Sequence, residues 1–196
     1  MKLLGLTGGV GMGKSTAAGF LLEAGVRVVD TDDLARELVQ PGQPALAEIG
    51  AAFGKNIFRP DGALDRAALA KIIFNEESAR KKLEAILHPR IRERWQAQLE
   101  TWRGENCAVA VVVIPLLYET QAETHFDKIL CVASSPASQL ERLKSRGWTP
   151  EQIRQRIAAQ LPVEQKIARA DYVVWTEGLP DNSRRQMAGI ISRGAV

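Results

Sequence analysis

A run of glycines near the start of the chain ends in a lysine and two hydroxyl side chains. Residues 8–15 read GGVGMGKS, which matches the pattern G-x-x-x-x-G-K-[ST] in full. Glycines let main-chain N–H groups approach a phosphate chain closely, because no side chain stands in the way. A lysine at this spacing places a cation between the β- and γ-phosphates, and the serine hydroxyl can bind Mg²⁺. The segment therefore predicts a nucleotide site, made of Gly8, Gly9, Gly11, Met12, Gly13, Lys14, Ser15 and Thr16. A glycine-rich turn without a ligand is the alternative, and the full pattern disfavours it.

Three aspartates follow the second apolar run, in the stretch VVDTDDLAR at 28–36. An alcohol that attacks the γ-phosphorus must lose its proton, and a carboxylate held in position can accept it. Because the end of the second strand lies near the phosphate loop in folds of this kind, Asp32 is the candidate base. Helix capping is the alternative, with Asp30 or Thr31 capping a helix that begins near Asp33.

Arginines are concentrated late in the chain, in the stretch QLERLKSRGWTPEQIRQR, at positions 142, 146, 154 and 156. Arg142 and Arg146 are predicted on one face of a helix. Phosphoryl transfer spreads charge over the γ-phosphoryl oxygens, and an arginine-bearing lid can neutralise that charge and exclude water. We expect both to contact the nucleotide, with Arg142 the first choice. The alternative is a solvated basic face paired with Glu141 and Glu151.

Other classes of nucleotide-binding protein are disfavoured by what the sequence lacks. A GTPase would normally carry N-K-x-D for guanine, and this pattern does not occur. A motor ATPase would usually place an acidic residue at the end of a hydrophobic strand, whereas the strand at 108–114 continues into PLLYE. We therefore expect a kinase that acts on a small acceptor.

Short, β-branched and nearly continuous apolar runs predict strands that are buried on both faces of a parallel sheet. The predicted strands cover residues 2–6, 26–30, 108–114, 127–133 and 171–175. Helical patterns occupy 14–24, 34–39, 44–53, 65–74, 77–87, 91–102 and 149–161. Thr149, Pro150 and Gln152 give the last helix an N-terminal capping box, and Pro162 ends it.

This alternation predicts an α/β fold of the P-loop NTPase type, with a doubly wound, five-stranded parallel sheet flanked by helices. The connection between the second and third strands is far longer than a crossover needs, so it predicts a helical insertion. We expect one domain over 1–196. Its nucleotide-binding core covers 1–37 and 103–196, its helical acceptor lobe covers 38–102, and its lid covers 138–162.

Composition limits the partners and the location. The 196 residues carry a net charge of +3, which is too mild to indicate nucleic acid but fits an anionic ligand. Nothing at the N-terminus resembles a signal peptide, and the longest apolar run, 107–118, is too short to cross a bilayer. We therefore expect a cytoplasmic protein without membrane or nucleic-acid partners. Cys107 and Cys131 lack the neighbours of a metal site and are predicted to be buried thiols.

Five stretches together resemble the dephospho-coenzyme A kinase family. They are GLTGGVGMGKST (5–16), VVDTDDLAR (28–36), DGALDRAAL followed by IIF (61–74), HPRI (88–91) and IPLLYE (114–119). The arginine-rich segment and ADYVVWTEG (170–178) also fit, so the resemblance covers nearly the whole chain. Ile114 and Tyr118 replace a commoner valine and phenylalanine, and Met12 stands where many members have a small residue.

The resemblance implies Mg²⁺- and ATP-dependent phosphorylation of the ribose 3′-hydroxyl of dephospho-CoA. Carried over by residue, it implies Asp32 as the base, Lys14 and Arg142 on the transferring phosphoryl group, and Ser15 on Mg²⁺. His88, Pro115, Leu116 and Leu117 are implied near the acceptor. One rival is another P-loop kinase that acts on a nucleoside, nucleotide or sugar. The other is a nucleotide switch, which would need no acceptor-side base.

Overall fold

The main feature of the fold is a five-stranded, fully parallel sheet. The computed structural model describes residues 1–193, apart from the side chains of residues 74, 75 and 193. The strands are β1 Lys2–Gly8, β2 Arg27–Asp30, β3 Val109–Val113, β4 Lys128–Ala133 and β5 Tyr172–Trp175. Their order is β2-β3-β1-β4-β5, so β1 lies in the middle. Each predicted strand is confirmed to within one or two residues at either end. Leu4 of β1 pairs with Val111 on one side and Lys128 on the other.

Helices lie between the strands along the chain. They are α1 Lys14–Glu23, α2 Thr31–Leu38, α3 Pro44–Phe53, α4 Arg66–Asn75, α5 Glu77–Gly104, α6 Pro136–Ser145, α7 Pro150–Ala158, α8 Val163–Arg169 and α9 Pro180–Arg193. Two 3₁₀ turns lie at Lys55–Ile57 and Ala122–His125. The doubly wound α/β architecture is thus confirmed. None of the helices within residues 1–193 is both long and apolar enough to span a membrane.

The chain divides into two compact units. The first unit comprises residues 1–30 and 101–196 and the second comprises 31–100. The core of the first is formed by apolar side chains of the strands and of α1, among them Leu6, Leu21, Val111 and Leu130. The core of the second is centred on Ile49 and Ile57, which are fully buried. The second unit begins at Thr31, seven residues before the boundary expected from sequence, so Asp32 belongs to it.

Two helices predicted at 77–87 and 91–102 are one continuous helix, α5, which passes through Pro89. A proline removes one main-chain hydrogen bond and crowds the preceding turn, which is why a break was expected. The Arg90 side chain donates to the carbonyl oxygen of Ile86 at 2.6 Å within this turn. The proline is therefore accommodated within one long helix.

Helix ends differ from the prediction at three places. Helix α2 begins at Thr31, two residues before the predicted start, so Asp30 directly precedes the helix and Thr31 lies within it. Helix α6 ends at Ser145, which leaves Arg146 as its C-cap rather than on a helical face with Arg142. Helix α7 ends at Ala158, and Pro162 instead precedes α8. The capping box at the start of α7, by contrast, is confirmed.

Cysteine burial follows the prediction for one thiol only. Cys131 of β4 is fully buried, whereas Cys107, which lies just before β3, is partly exposed. The Sγ atom of Cys107 lies 3.1 Å from the carbonyl oxygen of Val109. Cys107 precedes the first residue of β3, whereas Cys131 lies within β4, and this accounts for the difference in exposure between the two thiols.

Candidate active site

The glycine loop, residues 8–13, connects the central strand β1 to helix α1. Gly8 has a φ of +149°, and a Cβ there would lie 2.3 Å from the carbonyl oxygen of Val132 in the neighbouring strand. Gly13 directly precedes α1 with a φ of +92°, and a Cβ there would lie 3.1 Å from Cγ2 of Thr176. Since L-residues rarely adopt these dihedrals and neighbours fill the space, both positions require glycine. The loop is therefore closely fitted to the sheet.

Lys14 folds back over the glycine loop. Its Nζ atom donates to the carbonyl oxygens of Gly8 at 2.8 Å and Gly9 at 3.1 Å. Ser15 and Thr16 follow in the first turn of α1 and are exposed. The N-terminus of a helix carries partial positive charge and unpaired N–H groups. A cation, hydroxyls and helix N–H groups thus meet at one place, an arrangement that suits a phosphate chain.

Two glutamine side chains hold the glycine loop at Val10. Gln139 of α6 is buried, and its Nε2 donates to the carbonyl oxygen of Val10 at 2.8 Å. The N–H of Val10 donates to Oε1 of Gln160, also at 2.8 Å. Both polar groups of this residue are therefore bonded to side chains from outside the loop, which limits how the loop can move.

Arg142 of α6 reaches the far side of the glycine loop through Thr176. Its guanidinium donates to Oγ1 of Thr176 at 2.9 Å and also to the carbonyl oxygen of that residue. Thr176 Oγ1 in turn contacts the carbonyl oxygen of Met12 at 3.0 Å. Arg142 is thus separated from the loop by one side chain. Arg146 is exposed at the end of α6.

Glu177 organises the start of α6 beside this arginine. Its carboxylate accepts from the N–H of Ser135 and from Oγ of Ser138, the latter at 2.7 Å. Hydrogen bonds from Ser135 and Ser138, with the nearby positive charge of Arg142, lower the pKa of Glu177 to about 2. The group is therefore ionised at neutral pH and helps hold the N-terminus of the arginine-bearing helix.

The segment after β3, residues 115–119, is held by a fully buried lysine. Lys166 of α8 donates from Nζ to the carbonyl oxygen of Pro115 at 2.8 Å and pairs with Oε1 of Glu119, also at 2.8 Å. The same oxygen of Glu119 accepts from the N–H of Leu161 at 2.8 Å. Thr7 of β1 reaches the Pro115 carbonyl as well, at 3.4 Å. Leu117 is buried and Leu116 is partly exposed.

Three parts of the candidate site meet at one edge of the sheet. The glycine loop follows β1, the 115–119 segment follows β3 and Thr176 follows β5, all at the carboxyl ends of parallel strands. Ligands of doubly wound sheets bind at this edge. The structure therefore brings Lys14, Ser15 and Pro115 to the same edge, with Arg142 bonded to Thr176 there.

The second unit holds the other residues predicted for the site. Asp32 lies in the first turn of α2, where Asp33 forms an ion pair with Arg36. His88 and Pro89 lie on α5 and line an open groove of about 280 Å³, together with Arg92, Glu93 and Gln96.

The residues present fit a magnesium ion that is bound mainly through a nucleotide. Ser15 offers an exposed hydroxyl oxygen at the start of α1. Within residues 1–193, no group of three or more histidine, cysteine or acidic side chains could hold a metal by itself. Mg²⁺ usually takes one or two protein oxygens and completes its shell with phosphates and water. The single hydroxyl of Ser15 beside the glycine loop agrees with that coordination preference.

Comparison with known proteins decides the family. The model of the dephospho-CoA kinase family matches residues 2–181. A dephospho-CoA kinase from Geobacillus kaustophilus is 42% identical over 191 residues, which cover 97% of this chain and 95% of that protein. The chain belongs to the dephospho-CoA kinase family.

Solved structures agree with this assignment. A Thermus thermophilus protein superposes with a TM-score of 0.82 at 30% identity, covering 97% of this chain and 96% of that one. A dephospho-CoA kinase from Campylobacter jejuni gives a TM-score of 0.71 at 26% identity, covering 98% and 96%. The architecture of the family therefore extends over nearly all of this chain, as the five motif stretches indicated.

Several residues of this family member's site were missed from the sequence. They are Gln139, Gln160, Lys166 and Thr176. Thr176 and Gln139 lie in stretches that fit the family, but the sequence alone assigns neither a role, and each of the four residues contacts a segment far away along the chain. A lysine within an ordinary helical pattern reads as a solvated residue, since lysines are rarely buried. Only the three-dimensional contacts identify its partners.

Proposed function

We propose that this protein transfers the γ-phosphoryl group of ATP to the ribose 3′-hydroxyl of dephospho-CoA, giving CoA and ADP. One observation carries the proposal. The complete glycine loop, with Lys14 folded over it, occurs in a chain that is 42% identical to a named dephospho-CoA kinase along 97% of its length. This observation joins the phosphate-binding geometry to a family with a named acceptor.

Lys14 and Arg142 are proposed to neutralise the transferring phosphoryl group. The Lys14 ammonium now donates to two loop carbonyls, neutral acceptors that a phosphate oxygen can replace. Charge-assisted hydrogen bonds to phosphate are stronger than those to a neutral carbonyl, so such an exchange is favourable. Arg142 is held beside the loop by Thr176, ready to approach the nucleotide from another side. Arg146, exposed at the end of the same helix, is proposed as a further nucleotide contact.

Asp32 is proposed as the base that accepts the proton of the 3′-hydroxyl. It follows the end of β2 by two residues, and its carboxylate lies in the first turn of α2. The second unit is proposed to bind the acceptor, with His88 contributing from α5. Pro115, Leu116 and Leu117 are proposed to line the acceptor side of the first unit.

Mg²⁺ is proposed as the metal, with the Ser15 hydroxyl as a protein ligand. When bound, the ion neutralises charge on the β- and γ-phosphates. Ser15 is suited to this role because it directly follows Lys14 at the start of α1 and is exposed. The glycine loop meanwhile orients the phosphate chain through its main-chain N–H groups.

A coupled ADP-release assay tests the proposed function. Purified protein is mixed with Mg-ATP, with and without dephospho-CoA, and the product is weighed by mass spectrometry. The proposal requires ADP release that depends on dephospho-CoA and a product with the mass of CoA. Nucleosides, shikimate and gluconate, offered as competing acceptors, separate this activity from other small-metabolite kinases. ADP release that is indifferent to dephospho-CoA would overturn the proposal.

The proposed base is tested by Asp32→Asn. We expect the rate of CoA formation at saturating substrates to fall by about 10²–10⁴-fold, the usual contribution of a general base. Asp33→Asn is the matched control, since Asp33 is the neighbouring carboxylate and pairs with Arg36 at the surface. A nucleotide switch without an acceptor-side base would hydrolyse ATP equally well in both variants. Wild-type rates in Asp32→Asn would remove this residue from the base role.

A further inference from the structure

The connection between α7 and α8, residues 159–162, contacts two separate parts of the candidate site. Gln160 accepts from the N–H of Val10 in the glycine loop, at 2.8 Å. The next residue, Leu161, donates its N–H to Glu119 in the segment after β3, also at 2.8 Å. Adjacent residues thus link the loop that follows β1 with the segment that follows β3. Val10 and Glu119 lie in the motif stretches at 5–16 and 114–119, whereas Gln160 and Leu161 lie outside all five stretches.

On the glycine-loop side, the contact restrains a residue that is otherwise bordered by glycines. Val10 lies between Gly9 and Gly11, which leaves the main chain many conformations. The two hydrogen bonds from Gln139 and to Gln160 select one of them. A loop already held in its binding shape pays less conformational entropy when a ligand arrives.

On the other side, the contact ends in an ion pair between the fully buried Lys166 and the partly exposed Glu119. Lys166 has a side chain that is 0% exposed, and it binds both the Glu119 carboxylate and the Pro115 carbonyl at 2.8 Å. A buried ammonium needs such partners, because an unpaired charge in the interior is strongly unfavourable. Glu119 is therefore held in one position, and the N–H of Leu161 binds to a fixed acceptor.

We propose that Glu119 and Gln160 are positioning residues that act together through the α7–α8 connection. Glu119 fixes Leu161, and the adjacent Gln160 then holds Val10 and keeps the glycine loop in its nucleotide-binding shape. A change at the segment after β3, proposed above to face the acceptor, is thereby transmitted to the nucleotide loop. The inference deepens the proposed function and rests on it for the identity of the two substrates.

Calorimetric titration with MgADP tests this link without any turnover. Gln160→Ala removes the acceptor of the Val10 N–H, and we expect the Kd for MgADP to rise by about three- to tenfold, as for a lost hydrogen bond. Glu119→Ala removes the anchor of Leu161, and we expect the Kd to rise by about two- to 30-fold, which corresponds to the 0.5–2 kcal/mol typical of residues that act through others. Gln165→Ala, at an exposed glutamine of α8, is the control and should leave the Kd unchanged.

Rescue separates positioning from a general effect on folding. Glu119→Gln keeps an oxygen that can accept from Leu161, so its Kd for MgADP should return to within about twofold of the wild type. If Glu119→Ala fails to fold because Lys166 loses its partner, Glu119→Ala combined with Lys166→Met removes the unpaired charge and is titrated instead. A purely structural role of Glu119 would lower Tm and leave the Kd of the folded protein unchanged.

The outcomes distinguish this inference from the proposed function. Wild-type protein that binds no MgADP, or forms no CoA, contradicts the proposed function. Wild-type binding with an unchanged Kd in the folded Glu119 variants overturns the link through the connection. Tighter binding in Gln160→Ala also overturns it, since Gln160 would then compete with phosphate for the Val10 N–H.

Discussion

Two lysines of the first unit, Lys14 and Lys166, show how differently one side chain type can be used. Lys14 lies at the surface edge of the glycine loop and donates to the carbonyl oxygens of Gly8 and Gly9. Lys166 is fully buried, and its ammonium binds one carbonyl and one carboxylate. The first arrangement can exchange its acceptors for phosphate oxygens. The second is closed, and it holds protein segments together.

The buried thiol of Cys131 lies within electrostatic reach of both lysines. Burial raises the pKa of Cys131 to about 11, and the positive charges of Lys166 and then Lys14 lower it in part. The pKa of Cys131 in β4 therefore reports on both lysines. Lys14 and Lys166 differ in exposure and in their hydrogen-bond partners, so replacing each of them by methionine should have different consequences.

The largest effect on stability is expected when Lys166 is replaced by methionine. Lys166→Met removes a fully buried ammonium that donates to the Pro115 carbonyl and pairs with the partly exposed Glu119 carboxylate. Hydrogen bonds of a charged group contribute about 1.5–3 kcal/mol, so we expect the free energy of unfolding to fall by about 3 kcal/mol. Urea unfolding measures this loss. Lys128→Met is the control, because Lys128 forms a surface ion pair with Asp171, and it should cost at most about 1 kcal/mol. Equal losses in the two variants would contradict a special role for burial.

The same substitution at Lys14 should act on the reaction. Lys14→Met removes the cation proposed to neutralise the phosphoryl group, and we expect CoA formation to slow by about 10²–10³-fold, equivalent to about 2.7–4 kcal/mol of transition-state stabilisation. The free energy of unfolding, measured in urea, should change by no more than about 1 kcal/mol, because only hydrogen bonds to main-chain carbonyls are lost. A Lys14→Met variant that is slow but stable, beside an unstable Lys166→Met variant, would show that the first lysine serves the reaction and the second serves stability. A stability loss at Lys14 as large as that at Lys166 would contradict this distinction.

The sequence predicted most of the first region and little of the second. The spacing of Gly8, Gly13 and Lys14 is local, and it lies where a buried strand passes into a helix, so pattern alone located the loop. The five strands followed from continuous apolar runs. Such signals are contained within a few neighbouring residues, which is why they could be recognised without a structure.

The contacts of Lys166 and Gln160 could not be predicted in this way. Lys166 reaches Pro115 and Glu119, and Gln160 reaches Val10, so the partners lie tens of residues or more away along the chain. Which residues meet depends on strand order and on where helices end. The continuity of α5 through Pro89 was missed for a related reason, since a local rule for proline was outweighed by the rest of a long helix.

A smaller effect is expected from the pH dependence of stability. The pKa of Cys131 is raised from 9.0 to about 11 mainly by burial, so the folded protein keeps this thiol protonated where the unfolded chain ionises. The contribution of this thiol to the free energy of unfolding should therefore be complete below about pH 9. It should be lost between pH 9 and 11, by about 2–3 kcal/mol in total. Unfolding in urea at several alkaline pH values measures this fall.

Variants of the thiol and of the two lysines sharpen that measurement. Cys131→Ala should lack this part of the alkaline loss, whatever its stability at neutral pH. Lys166→Met removes the stronger of the two charges that lower the thiol pKa, and Lys14→Met removes the weaker. The thiol pKa should therefore rise more in the first variant than in the second. The reverse order would mean that Lys14 is the lysine with the stronger influence on the buried core.

The smallest effect is expected from Tyr118, which precedes Glu119 in the segment after β3 and has Arg169 at 4.1 Å over its ring. Its hydroxyl is buried and has no hydrogen-bond partner in the described part of the chain, and burial raises its pKa to about 12. Removing an unsatisfied buried group relieves a desolvation cost, so Tyr118→Phe should leave stability at pH 7.5 unchanged or raise it by up to about 1 kcal/mol. Tyr172→Phe is the control at a partly exposed tyrosine. A clear loss of stability in Tyr118→Phe would contradict this, because it would show that the hydroxyl forms a hydrogen bond in solution.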